Sequence, residues 1–179
     1  MKRLAAAAIA LGLSCPAAAA ADPGAFDAAA IDLPAYIECR AADIATYQRF
    51  AGDLAGQEDA VEQALRLTEE DSGNPMLKQY RLATPITVFG RRTDRIAFTA
   101  SGVMAILAEA DPHPIAKEIG VEPALDRPGK YLGEKIVSEK EERIDADTRF
   151  RSRIALNVST VDSHPGRTLA GCTYSVEVE

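Results

Sequence analysis

Apolar and polar positions alternate most regularly toward the end of the chain. Phe150, Ser152, Ile154, Leu156 and Val158 alternate with Arg149, Arg151, Arg153, Ala155 and Asn157. A period of two sustained over that length predicts an antiparallel strand with one wet face. Asp162-Ser163-His164-Pro165-Gly166 has turn chemistry, and residues 168–178 return with Ala170, Cys172, Tyr174, Val176 and Val178 on one face. These two segments are expected to form a hairpin. Residues 131–144, strand-like and charged, are expected to lie beside it.

Helical spacing dominates nearer the start. Asp43 is a good N-cap, and Ile44, Tyr47, Ala51 and Leu54 recur at helical intervals up to Gly56, predicting a helix over 43–55. Residues 58–67 carry strong helix formers and a Val61–Leu65 stripe, so a second helix follows. Ahead of both, residues 34–40 read as a short strand bearing Cys39 near its end.

The middle of the chain turns to strands. Residues 71–75 (DSGNP) read as loop. Residues 78–83 and 86–90 read as strands, with Pro85 marking a break or an edge position. Residues 95–100 point Ile96 and Phe98 inward, and Ser101-Gly102 turns the chain into a strand over 103–107. A buried helix over 103–110 is the competing reading. Asp111-Pro112-His113-Pro114 breaks the chain before a short helix over 115–119, with Pro114 at its first position and Gly120 past its end. Residues 121–130, with Pro123, Pro128 and Gly129, read as loop. Helices early, strands later and no sustained βαβ alternation predict an α+β domain, an antiparallel β-sheet with helices packed on one face.

The first residues change the picture of compartment. Met1-Lys2-Arg3 is basic, residues 4–13 are unbroken apolar, and small residues follow through Ala21. That order is the pattern of a secretory signal peptide over residues 1–20, cleaved after Ala20. The apolar stretch falls well short of the roughly twenty residues a membrane span needs. Residues 21–32 are expected to be a poorly ordered lead-in and residues 33–179 a single domain, with no transmembrane segment in the mature chain. The protein is therefore expected to be periplasmic or secreted. A lipid anchor through Cys15 is the alternative, although Leu13 stands one place too close to the cysteine for the usual lipidation pattern.

Loss of the leader leaves Cys39 and Cys172, which in an oxidising compartment are expected to form a disulfide. The bridge would close a loop of 133 residues. On the chain-entropy model such a loop gives about 5 kcal/mol as an upper figure. Net charge is −7, and removal of Lys2 and Arg3 takes the mature chain to −9. An acidic surface disfavours nucleic acid and anionic membranes as partners.

Candidate chemistry is sparse. The chain contains no G-x-S-x-G, H-E-x-x-H, C-x-x-C or P-loop pattern. No catalytic residue, cofactor or metal is expected. Each of the two histidines, His113 and His164, stands beside a proline in a predicted turn, where an exposed, non-functional ring is the ordinary outcome. Asp162 with His164, and Asp111 with His113, are the candidate pairs. Arginines cluster twice: Arg91, Arg92 and Arg95 near a hairpin tip, and Arg149, Arg151 and Arg153 on one strand face. A row of guanidinium forks suits carboxylate or phosphate, so Arg149, Arg151, Arg153, Arg91 and Arg92 are the candidate binding residues. Cross-strand pairing with Glu139 and Glu141 is the structural alternative.

These features lead to the expectation of a noncatalytic binding protein of the bacterial cell envelope, an inhibitor, immunity-type or accessory protein that contacts another envelope protein. The first rival is a small-ligand carrier with an apolar pocket between helices and sheet. The second is a hydrolase, which requires His113 or His164 in a cleft near carboxylates.

Overall fold

The computed structural model describes residues 27–40, 43–145 and 148–178; the leader, Cys15 and residues 21–26 lie outside them. Four α-helices occur among these residues: α1 (Leu33–Ile37), α2 (Ile44–Gly56), α3 (Glu58–Leu65) and α4 (His113–Ile119). Eight strands follow the order β1 (Leu67–Glu70), β2 (Lys78–Val88), β3 (Arg91–Thr99), β4 (Gly102–Leu107), β5 (Glu122–Arg127), β6 (Lys130–Arg143), β7 (Arg149–Ser159) and β8 (Thr168–Val178). They make one antiparallel sheet in the order β1-β2-β3-β4-β8-β7-β6-β5. The fold is α+β, as the element pattern predicts.

Register explains where the core sits. Tyr80, Ile96, Ala105, Ala170 and Val158 stand opposite one another across five strands. All five belong to the main core, together with side chains from all four helices. One residue along, Gln79, Ala97, Met104, Gly171 and Asn157 form the next row. Side chains alternate in direction along a strand, so this row faces the other way. There Ala97, Met104, Ile106 and Leu169 make a second, smaller cluster with Leu77 and Val161 packed on it. Gly171 is required where β8 passes β4, because a Cβ would run into the Val103 carbonyl and the Met104 backbone.

Aromatic rings fill the space between helices and sheet. Tyr47 stacks on Tyr174 with centroids 4.3 Å apart, and Tyr36 stacks on Phe50 at 5.4 Å. The Tyr174 hydroxyl donates to the Tyr36 carbonyl at 2.8 Å. Beside this cluster the Cys39–Cys172 disulfide joins the end of α1 to β8, with Cα atoms 5.2 Å apart.

Several segments depart from their sequence reading. Residues 34–40 form α1 and its cap instead of a strand: Asp32 accepts from the Ala35 amide, and Pro34 sits in the first turn where its fixed φ suits a helix. Short apolar runs do not separate the two states by periodicity. Within the expected poorly ordered lead-in, Ala28–Ala30 make a 3-10 turn capped by Asp27, and Ile31 packs on the core. The second helix stops at Leu65 because Arg66 turns left-handed (φ 54°), and a short edge strand, β1, follows. Residues 78–88 are one strand with a bulge between Arg81 and Ile86; Pro85 lies there, beyond the last β1 pairing at Leu82. Residues 121–130, read as loop, contain edge strand β5, whose register slips between Pro123 and Leu125. Edges and bulges are where a strand tolerates proline.

The β7–β8 hairpin and the α2 boundaries stand as the periodicity predicts. Past the β4 pairing that ends at Thr173, β8 continues with β7 on one side only among the described residues. The ends of β6, β7 and β8 thus form an arm. Val176, Val178 and Ile144 are exposed on it.

Candidate functional site

Two clefts and one charged face bring chemistry together. The larger cleft, about 990 Å³, lies between α2 and the sheet. Tyr47, Ala51 and Leu54 reach it because they recur on one side of α2, and Phe98 reaches it from the end of β3. Its remaining wall is the loop of residues 71–77, which side chains hold in shape. Asp71 accepts from the Gly73 amide at 2.8 Å, Asn74 from the Met76 amide at 3.0 Å, and Ser72 donates to the Leu77 carbonyl at 2.7 Å. Short polar side chains that close on nearby backbone in this way stabilise a defined turn. The loop places Leu77 and the 74% exposed Met76 at the cleft.

One polar group in this floor stands out. Tyr47 is 2% exposed and burial pushes its hydroxyl pKa up. Among the described residues the Tyr47 hydroxyl makes no hydrogen bond, whereas Tyr174 donates to Tyr36 and Tyr80 donates to Glu58 at 2.9 Å. Among the described residues the fully buried side-chain atom without a partner is Arg153 Nε, so the Tyr47 hydroxyl retains some access to solvent.

The mouth is acidic. Glu58, Glu62 and Glu69 bring carboxylate oxygens within 4.8 Å of one another. Lys78 pairs with Glu58 and lies 4.0 Å from Glu69. Its ammonium also stands 5.9 Å from the Tyr80 ring centroid. Glu70 nearby is fully engaged. Burial opposes its ionisation, but hydrogen bonds from Gln79, Arg95 and Arg81 outweigh that and hold its pKa at about 2.

The Glu70 contact sets the state of His164. A carboxylate only accepts, so Gln79 turns its amide nitrogen to Glu70 (2.8 Å) and its carbonyl to His164 Nε2 (2.7 Å). Nε2 then carries the proton, and Nδ1 accepts from Ser163 Oγ at 2.8 Å. His164 is buried, contrary to its expected exposed turn position, because its loop folds back over β2. Burial, with Arg167 nearby, lowers its pKa. Ser163–His164 has the first two members of a nucleophilic triad, but the third position holds the Gln79 amide in place of a carboxylate. An imidazolium formed there has no counter-charge. The arrangement is a latch, and both His164 nitrogens are already bonded, which leaves none for a metal shared with Asp162.

His113, in the second cleft of about 720 Å³, is the opposite case. Nδ1 lies 2.6 Å from Asp111 and Nε2 3.0 Å from Asp126, and the exposed ring packs edge-on against Tyr131 at 5.2 Å. The bond to Asp111, then that to Asp126, raises its pKa. Each ring nitrogen faces a carboxylate, and that pairing favours the protonated ring. A histidine does lie in a cleft near carboxylates, as a hydrolase requires, with both ring nitrogens already engaged by them.

The candidate arginines are all placed. Arg149 bonds Glu141 at 3.0 Å, Arg151 pairs with Glu139 at 3.4 Å and Arg153 with Glu134 at 2.5 Å. The expected cross-strand pairing is thus present, in diagonal form, since the register sets Arg151 opposite Glu141 and Arg153 opposite Glu139. Ala155, assigned with them to the wet face, is fully buried. Arg91 bridges Glu109 (3.0 Å) and Glu118 (2.7 Å) and ties the β2–β3 tip to α4. Arg92 is exposed at that tip. Sequence reasoning named none of the cleft residues as functional: Tyr47, Leu54 and Phe98 read as core, and their common cleft depends on a loop far from them in the chain.

No protein-family model, curated protein or solved structure matches this chain. Function is therefore argued from the geometry alone.

Proposed function

We propose that this protein is an exported, noncatalytic carrier that holds a small ligand in the cleft between α2 and the sheet. The observation that carries the reading is the cleft itself, about 990 Å³, with Tyr47, Leu54, Met76, Leu77 and Phe98 on its walls. Cleft volume and a mostly apolar lining with few polar groups fit the usual small-molecule site. Export rests on the leader pattern of residues 1–20, and the Cys39–Cys172 disulfide and the absence of a membrane-crossing helix among the described residues are compatible with it.

Native mass spectrometry of the mature protein prepared from the periplasm tests the reading. A small-molecule adduct is expected on the wild type and none on Ala51→Trp, whose ring fills the cleft. An adduct that persists unchanged in Ala51→Trp contradicts it.

Protein–protein contact is the second reading, favoured by the arm. Val176 and Val178 are 42% and 64% exposed, beside a stretch of β8 that β4 leaves uncovered. Such an edge accepts a strand from another envelope protein. Val178→Lys is expected to abolish that contact and leave the cleft adduct intact.

A further inference from the structure

We propose that the uncovered end of β8 pairs with the same stretch of a second copy of this chain, joining the two sheets about a two-fold axis. The proposal rests on the contact reading of the arm and is independent of the cleft. β4 ends its pairing with β8 at Thr173, and the Tyr174 amide donates to the Ser101 carbonyl at 2.7 Å. That bond points the Tyr174 N–H away from β7. Backbone groups in an antiparallel strand alternate in direction, so Val176 and Val178 turn theirs to the same side, where no strand lies among the described residues. The other edge of the arm is guarded. Beyond its β5 pairing, β6 carries a bulge between Ile136 and Ser138, then Glu139, Lys140, Glu141, Glu142 and Arg143. Bulges and charges are how edge strands avoid other strands. The β8 edge has no bulge, and its one charge, Glu177, stands between two exposed valines.

Self-complementarity names the occupant. An antiparallel pairing centred on Val176 sets Val176 opposite the partner's Val176, Tyr174 opposite the partner's Val178, and Ser175 opposite the partner's Glu177. The register within each sheet extends these rows. One face runs through Glu141, Arg151 and Glu177 to the partner's Ser175, Arg153 and Glu139. Its charges alternate in sign, and no like charges are neighbours. The opposite face runs through Phe150 and Val178 to the partner's Tyr174 and Ile154, aromatic or aliphatic throughout. Both kinds of cross-strand neighbour are favourable, whereas like charges placed opposite each other are not. Sliding the partner outward sets Glu177 against Glu177. Sliding it inward drives Val178 onto Cys172, which β4 already covers. A second copy supplies the matching rows by symmetry. The contact is one short strand from each copy, small for a permanent interface, so dimerisation is expected to depend on concentration.

Sedimentation velocity of the mature, oxidised protein from about 1 μM to about 1 mM tests the proposal. The mass is expected to rise from one copy to two across that range. Val176→Pro removes an N–H that faces the open edge and leaves the ladder to β7 intact, and it is expected to keep the protein monomeric throughout. Val178→Lys is expected to do the same at an unchanged melting temperature. A mixture of Ser175→Cys and Glu177→Cys is expected to crosslink on mild oxidation, and neither variant alone to do so. A wild type that stays monomeric overturns the proposal and leaves contact with another envelope protein standing. A dimer that neither Val176→Pro nor Val178→Lys weakens overturns it too, as does crosslinking of either cysteine variant alone as readily as the mixture.

Discussion

The cleft beside α2 and the charged face of the β6–β7–β8 arm are built in opposite ways. On the arm, each arginine of the row meets a glutamate of its own sheet. Each charge there has a counter-charge, although Arg153 Nε is buried without a partner among the described residues. Along the cleft, backbone groups of the 71–77 loop are bonded, and apolar side chains of α2, β3 and that loop border an open concavity. A row of like charges is conspicuous in a sequence but self-sufficient in the fold. An apolar concavity that the chain itself leaves unfilled is the stronger sign of a ligand.

The largest expected effect lies under the cleft. Cys39→Ser/Cys172→Ser frees α1 from β8 and is expected to cost up to about 5 kcal/mol, a large share of a domain stability of about 5–15 kcal/mol. Urea unfolding of oxidised and reduced protein measures it, and an unchanged midpoint contradicts the bridge's part in holding α1 on β8. Phe50→Ala opens a hole beneath Tyr36 and Tyr47 and is expected to cost about 3–5 kcal/mol. A loss below about 1 kcal/mol would mean the aromatic cluster is loosely packed.

Intermediate effects belong to the latch. His164→Ala leaves the Gln79 carbonyl without its partner and is expected to cost about 1–3 kcal/mol. Acidity sharpens the point. The folded-state pKa of His164 is lowered, so its contribution is present above the unfolded value of about 6.5 and is lost as pH falls through the folded value. His113 runs the other way. Its folded pKa is raised, so its contribution is present below about 6.5 and is lost as pH rises through the folded value. Denaturation midpoints measured from acid to neutral pH are expected to fall on the acid side less steeply in His164→Gln than in the wild type, with His113→Gln showing the reverse change.

The arm should matter least to stability. Arg149→Gln, Arg151→Gln and Arg153→Gln each remove an exposed or half-exposed pair and are expected to cost below about 1 kcal/mol apiece. A triple variant as damaging as Phe50→Ala would erase the contrast between the two regions.

Much of the fold was legible because local pattern and long-range structure agree. Strict alternation over residues 149–158 and 168–178 could belong only to paired strands, and Cys39 and Cys172, once the expected leader is set aside, had one partner each. Asp43 marked the start of α2. The failures share a cause as well. Residues 34–40, β1 and β5 are too short for a period to declare itself, and Pro123 argued against a strand that only a bulged edge permits. His164 read as an exposed turn residue because its burial depends on Gln79, 85 residues earlier. The cleft joins α2, the loop of residues 71–77 and the end of β3, so no single window of sequence contains it.

Two methionines give the most direct measurement. The sequence has three, of which Met1 lies in the expected leader. Met76 lines the cleft, while Met104 lies buried in the small cluster on the opposite face of the sheet. Methyl NMR of methionine-labelled protein, titrated with the small-molecule fraction of periplasm, reads both sites at once. A saturable shift of the Met76 methyl with Met104 unmoved is the predicted result. Movement of both methyls together, or of neither, would contradict a ligand in the cleft.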